Sequence, residues 1–287
     1  MLLRRLLWLH ERLPRDTGMH FMLGWGVAIL ALSLPHVAAA EELLPICYRE
    51  DTAPFSYLDD NGEPTGYTIE LCKRVVASLN VDLQMIAVTA EDRFDRLARG
   101  DCDLLCEATT VTLKRRKQAD FSFYTFLTGA AFLYPKSTGD AGKTVNVGYL
   151  KGTTVEAAAR AGNIIGGSSG QYVLKEFEFE SHEEAQEALA NGELQGYLAD
   201  REILELMLEE LPRMADAYQI SKQSLTYEPY AIAVRLGDFE TRLKVDTALA
   251  EIFTTPGAMR AMLTEHIPAR RNDPLLEDLF RIQAIPE

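Results

Sequence analysis

Three short stretches of this 287-residue chain hold side chains that could grip a small charged molecule. Arg115 lies in Thr109-Thr110-Val111-Thr112-Leu113-Lys114-Arg115, just beyond the end of a strand predicted over 103–106. Open α/β sheets bind ligands at that edge, and threonine hydroxyls, free backbone N–H groups and a guanidinium together make a carboxylate site. The same stretch also reads as a helix cap, with Thr112 followed by solvated Lys114, Arg115, Arg116 and Lys117. Gly152-Thr153-Thr154 follows a predicted strand and opens a helix, so its N–H groups could hold an anion or serve only as an N-terminal cap. Asp200 ends the strand 196–199, where a carboxylate could take an ammonium group; it also stands at the N-cap of a helix beginning at Arg201. No G-x-S-x-G, H-E-x-x-H or P-loop motif occurs, and no G-x-G-x-x-G follows a strand. The glycine-rich 166–170 lacks the lysine and preceding strand of a phosphate loop and reads as a flexible loop. Anion and cation holders without a nucleophile and base favour binding over turnover.

The elements that must position these residues alternate between apolar strand-like runs and helical patterns. Strand 44–48, helix 68–79, strand 83–87, helix 93–99 and strand 103–106 form one βαβ series. A second begins after the Pro135-Lys136-Ser137-Thr138-Gly139 break: strand 145–147, a helix opening at Thr153, strand 176–179, helix 181–191 and strand 196–199. Such alternation predicts mostly parallel sheets. Helices over 201–210, 238–254 and 257–266 follow, with a strand at 231–234 between the first two.

The N-terminus points to export. Arg4, Arg5, Arg12 and Arg15 precede an apolar run over 21–34, and Ala38, Ala39 and Ala40 then supply an A-x-A cleavage pattern, so residues 1–40 read as a secretory signal peptide. The run is shorter than the roughly 20 residues of a membrane span. No second long apolar run follows, and a soluble periplasmic protein is expected. Without residues 1–40, which hold four arginines and two acids, the balance of 29 basic against 43 acidic residues becomes 25 against 41. Nucleic acid is thereby an unfavourable partner, because its phosphates would be repelled. Cys47, Cys72, Cys102 and Cys106 would meet an oxidising compartment. His182 and His266 lie too far along the chain to complete a zinc pattern with them, and no metal or other cofactor is expected. Cys47 and Cys102 both read as sitting at the start of strands that should be neighbours, while Cys72 lies early in the first helix and Cys106 at a strand end. Strand order therefore suggests Cys47–Cys102 and Cys72–Cys106, one of three possible connectivities.

Taken in order, Ala53-Pro54-Phe55-Ser56-Tyr57, Gly66-Tyr67 with Glu70-Leu71-Cys72, Asp103-Leu104-Leu105-Cys106, Thr110-Val111-Thr112 with Arg115, and Asp120-Phe121-Ser122 form a specific set. Gly148 to Thr154, Ala199-Asp200 and Tyr230 fall in the same order. The chain resembles the family 3 extracellular solute-binding proteins, the periplasmic amino-acid-binding proteins of ABC importers, over residues 44–268. The resemblance implies an α/β, two-lobe periplasmic-binding-protein fold of type II. Each lobe would be a mostly parallel sheet flanked by helices, with a hinge of two crossing strands. Lobe one is expected over 41–134 and 230–287, the latter with the C-terminal helices, and lobe two over 135–229. By analogy Arg115 and Thr110, with Thr153 and Thr154 from the other lobe, hold a ligand α-carboxylate. Asp200 takes the α-ammonium group, and Phe55 and Tyr57 wall the cleft, with a core aromatic as the alternative for Phe55. A monomer that delivers its amino acid to a membrane permease, and is not an enzyme, is implied.

Within the family the chain is similar to the glutamate/aspartate-binding proteins, through Arg49 three residues before Thr52-Ala53-Pro54-Phe55, Arg93 before Arg115, and His182 before Gly192. Arg49, Arg93 and Arg115 against Asp200 and Glu107, with His182 able to add charge near neutral pH, leave a positive surplus suited to an acidic ligand. In the alternative, Arg49 pairs with Glu50 or Asp51 and Arg93 with Asp92 or Asp95, outside the cleft. Ala90 and Ala108 stand where the subgroup has serine, and Glu107 where it has glycine. Glu107 also sustains an enzymatic rival, a cyclohexadienyl-dehydratase-like protein in which a cleft carboxyl acts as general acid. A ligand sensor without transport is a third reading.

Overall fold

The computed structural model describes residues 43–136, 144–160 and 173–285, and Glu41–Glu287 form one compact unit. The expected signal peptide 1–40, the glycine-rich 166–170 and the 137–139 break lie outside the described residues. Among the described residues no helix is long and apolar enough to cross a membrane.

The first lobe opens with β1 (Leu43–Tyr48) and a small antiparallel sheet of β2 (Asp51–Thr52), β3 (Ser56–Leu58) and β4 (Pro64–Thr65). It continues through α1 (Tyr67–Ser78), β5 (Asp82–Ala87), α2 (Arg93–Arg99) and β6 (Leu104–Leu105). β7 (Ala119–Thr128) then carries the chain toward the second lobe, built from β8 (Ala130–Pro135), β9 (Thr144–Leu150), α3 (Thr154–Arg160), β10 (Val173–Phe179), α4 (His182–Ala190) and β11 (Gly196–Asp200). α5 (Arg201–Glu210), α6 (Pro212–Ala217) and β12 (Tyr218–Ile220) complete it. β13 (Glu228–Arg235) returns to the first sheet, followed by α7 (Phe239–Thr254), α8 (Ala258–His266) and α9 (Pro274–Gln283).

Each lobe holds one five-stranded sheet, in the orders β5-β1-β6-β13-β7 and β10-β9-β11-β8-β12. β1 is parallel to both of its neighbours, and β9 likewise. β13 in one sheet and β8 in the other run against their neighbours on both sides, so the remaining four strands of each sheet point one way. This is the two-lobe layout that the resemblance implies. The crossings fall earlier than expected: β8 pairs with β11 and β12, so 130–134 belong to the second sheet rather than to lobe one, and the chain passes over at Gly129. A Cβ at Gly129 would collide with the Thr226 carbonyl oxygen and lie 2.6 Å from the Ser224 Cβ, so only glycine lets the outgoing and returning segments lie this close. The return strand likewise begins at Glu228, two residues before 230. α9 lies beyond the last helix legible in the sequence.

The disulfides join Cys47 to Cys102 and Cys72 to Cys106, with Cα–Cα distances of 5.6 and 6.3 Å. Cys47 is late in β1, in register with Leu105 of β6, which brings Cys102 alongside. Both bridges tie β1, α1 and the β6 edge into one block, the block from which Arg49, Glu107 and Thr110 extend. Loops of 55 and 34 residues correspond to about 4 kcal/mol each on the chain-entropy account.

Candidate functional site

Nine of the eleven side chains singled out from the sequence, Arg49, Arg93, Ala108, Thr110, Arg115, Thr153, Thr154, His182 and Asp200, line one cavity between the lobes. Phe55 and Tyr57 are not among its lining residues. Phe55 is fully buried, edge-on to Tyr67, Phe126 and Tyr230, so it supports the cleft from behind instead of walling it. Tyr57 lines a separate groove with Asp51, Ala53 and Met207. The sequence did not single out Thr52, Leu150, Val155, Leu198 or Ile203, which with Ala199 complete the lining; apolar and short polar residues carry no charge signal. A wider groove of about 570 Å³ among the C-terminal helices contains none of the predicted residues.

The lobes touch across the cavity. Arg93 Nη2 donates to the Gly152 carbonyl oxygen at 3.2 Å, Thr154 Oγ1 donates to Glu228 Oε2 at 2.8 Å, and Lys151 pairs with Glu91 at 3.1 Å. Gly152 has φ +73°, and a Cβ there would meet the Ala90 carbonyl oxygen at 2.7 Å. The enclosed space of about 20 Å³ is room for about one water molecule. An amino-acid-sized guest is larger than this space.

Arg115 opens a 3₁₀ turn, Arg115–Lys117, and Thr112 Oγ1 does cap it, accepting the Arg115 N–H at 3.0 Å. The cap does not exhaust the role of Arg115. Lys114, Arg116 and Lys117 face solvent whereas Arg115 is 9 % exposed, with Nη1 donating to the Thr110 carbonyl oxygen at 2.9 Å and its guanidinium over the Phe94 ring. The Thr110 segment is held by β13: Val111 N donates to Pro229 O and Ala231 N to Thr109 O. Burial, only partly offset by Glu107 and Glu228, lowers the Arg115 pKa, and Arg115 makes no ion pair with a described residue.

Asp200 sits at the end of β11 in the N-cap position of α5, yet its side chain makes no cap hydrogen bond. Tyr230 OH donates to Oδ2, and Oδ1 is buried without a partner. Burial, with Glu228 next in effect, pushes the Asp200 pKa up to about 8. On the facing helix terminus Thr153 Oγ1 donates to the Leu150 carbonyl oxygen at 2.7 Å, and Gly152 N donates to Glu156 Oε2 at 2.8 Å. Thr153 and Thr154 thus donate their hydroxyls to protein acceptors, and Thr153 Oγ1 meets the capping role by accepting the Glu156 N–H at 3.4 Å.

Arg49 and Arg93 resolve differently from either expectation. Arg49 does pair with Asp51, through Nη2 at 2.6 and 2.8 Å to the two carboxylate oxygens, but it is buried on the cavity rather than turned outside it. Arg93 Nε lies 2.8 Å from Glu107 Oε1, close as an ion pair though not aligned as a hydrogen bond, and Arg93 Nη1 has no partner. Asp92 and Asp95 do not pair with it. Burial lowers the Arg93 pKa to about 10, with Glu107 opposing the shift. Glu107 also accepts from Thr109 Oγ1 at 2.6 Å and lies 3.9 Å from Arg49 Nε, but it does not line the cavity. The expected positive surplus is absent, since Asp51 and Glu107 answer Arg49 and Arg93. His182, whose Nδ1 is 3.0 Å from Tyr197 OH, does not add charge near neutral pH either: burial first, then Arg49, lowers its pKa to about 3. No cluster of three or more His, Cys, Asp or Glu side chains among the described residues could hold a metal ion.

Comparison with known proteins places this geometry in context. Residues 44–267 match the bacterial extracellular solute-binding proteins, family 3. A glutamine-binding protein of an ABC transporter from Bacillus subtilis (strain 168) is 30 % identical over 213 residues, 71 % of this chain and 74 % of its own. A glutamate/aspartate import solute-binding protein from Salmonella typhimurium (strain LT2) is 26 % identical over 233 residues, 76 % of this chain and 74 % of its own. Among solved structures, an ancestral arginine-binding protein bound to arginine is 26 % identical with a TM-score of 0.68, covering 78 % of this chain and 98 % of that one.

Proposed function

This chain belongs to the bacterial extracellular solute-binding proteins of family 3, and from that premise we propose that it is a periplasmic receptor for a free α-amino acid. In this proposal it acts as a monomer, with lobes 41–129 plus 228–287 and 130–227, and hands its ligand to the membrane permease of an ABC importer. One observation carries the proposal: an unpaired, buried Arg115 and an Asp200 with an open oxygen face one cavity from different lobes. A carboxylate and an ammonium on a single carbon satisfy both, and each charge-assisted contact forms away from water. Because the two holders belong to different lobes, the ligand stabilises the closed form by its contacts with both.

The ligand side chain then meets Arg49, Arg93 and His182. Arg93 Nη1 needs an acceptor, which favours a side chain ending in oxygen, as in glutamate, aspartate, glutamine or asparagine; the relatives named for glutamine and for glutamate/aspartate support that set. Lysine or arginine would bring a like charge to two guanidiniums. An acidic ligand finds donors here but no longer a surplus of positive charge. The dehydratase-like alternative loses its distinguishing feature, since Glu107, the carboxyl that suggested it, lies behind Arg93 and off the cavity.

A thermal-shift screen of the twenty amino acids tests the proposal. A ligand at 100 times its Kd adds about 2.7 kcal/mol, or roughly 5–10 °C in Tm for a chain of this size. At least one side chain with an oxygen acceptor should give such a shift; no shift from any amino acid would refute the receptor assignment.

A further inference from the structure

We propose that Glu107 sets the ligand class: with Asp51 it cancels the charge of Arg49 and Arg93, so the receptor prefers a carboxamide side chain, glutamine or asparagine, over glutamate or aspartate. The inference rests on the receptor proposal above. Glu107 is 1 % exposed; one carboxylate oxygen is 2.8 Å from Arg93 Nε and the other 3.9 Å from Arg49 Nε. It reaches both guanidiniums from behind while the guanidiniums themselves line the cavity. Asp51 holds Arg49 through both of its oxygens, and Arg49 keeps the Asp51 pKa low against the effect of burial.

Two guanidiniums are therefore matched by two carboxylates in a space almost closed to water. A ligand carboxylate would add an unmatched negative charge and surrender its hydration, a cost that hydrogen bonds alone offset poorly. A carboxamide offers Arg93 Nη1 the same acceptor oxygen with far less hydration to lose. Neutral His182 contributes no charge to tip the balance back. Specificity here is set by a repulsive element as much as by an attractive one.

Calorimetric titration of glutamine, asparagine, glutamate and aspartate into the wild-type protein, Glu107→Gln and Asp51→Asn tests the inference, with circular dichroism confirming the fold. The wild type should favour the carboxamides by at least about tenfold, or 1.4 kcal/mol. Glu107→Gln is nearly isosteric and should move the ratio at least about tenfold toward the dicarboxylates, since it frees one positive charge. Asp51→Asn, at the more exposed of the two carboxylates, should move it in the same direction and decides the matter if Glu107→Gln does not fold. Tighter wild-type binding of glutamate or aspartate, an unmoved ratio in a folded variant, or tightest binding of an aliphatic or basic amino acid would overturn the inference while leaving a receptor. Binding of no amino acid at all would overturn both.

Discussion

Replacing Arg115 by alanine should weaken amino-acid binding by about 30- to 5,000-fold, the equivalent of about 2–5 kcal/mol for a charge-assisted contact in a desolvated cleft, and leave a folded protein. The size of the effect follows from where the guanidinium stands. It is buried, anchored by one hydrogen bond to the Thr110 carbonyl and stacked on Phe94, and it pairs with no carboxylate among the described residues. Its charge is free for a ligand carboxylate. Losing it removes one backbone hydrogen bond and a cation–π contact from the fold, so unliganded stability should fall far less than affinity. Calorimetry and unfolding of the same variant separate the two quantities. Unchanged affinity would remove Arg115 from the site.

Asp200→Asn should cost a comparable 2–5 kcal/mol or so in binding and also change how binding depends on pH. In the wild type, burial and the neighbouring Glu228 and Glu202, opposed by the Tyr230 hydrogen bond and Arg115, hold the Asp200 pKa near 8. Below that pH an ammonium must displace a proton, so affinity should rise between about pH 6 and 8, by up to about tenfold per pH unit, with proton release on binding. The unliganded fold responds with the opposite sign. A carboxyl whose folded pKa is raised from 3.8 to about 8 binds more protons folded than unfolded between those values, so its contribution to stability falls as pH rises through that window. The carboxamide in the Asp200→Asn variant cannot titrate, and both trends should flatten there. Titrations at pH 6, 7 and 8 in two buffers of different ionisation enthalpy measure the released proton directly; a pH-independent wild-type affinity would contradict this role for Asp200.

The residues at strand ends were legible from the sequence because their position follows from local pattern. Arg115 beyond β6, Asp200 at the close of β11 and Thr153-Thr154 after β9 each sit where a βαβ unit must place them, and the structure gathers them at one cavity. What could not be read locally is which charges face each other. Asp51 is two residues from Arg49 and could have pointed to solvent, and Glu107 meets Arg93 only because β1, α2 and β6 pack side by side. The proposed surplus of positive charge failed for that reason. His182 follows the same logic: its spacing suggested a switchable charge, but burial beside Arg49 keeps it neutral. Phe55 illustrates a third limit, since an aromatic beside a cleft motif can equally fill the layer beneath it. The lobe crossing was expected after 134, but β8 pairs within the second sheet and Gly129 is where two backbones pass too closely for a side chain.

The central claim is that the cleft holds both the α-carboxylate and the α-ammonium of one molecule. It is tested most directly by titrating the amino acid that stabilises the protein most, alongside its N-acetyl and α-amide derivatives. Each derivative keeps the side chain and removes one charge, so each should bind at least about 100-fold more weakly than the free amino acid. Equal binding of either derivative would contradict the site built on Arg115 and Asp200.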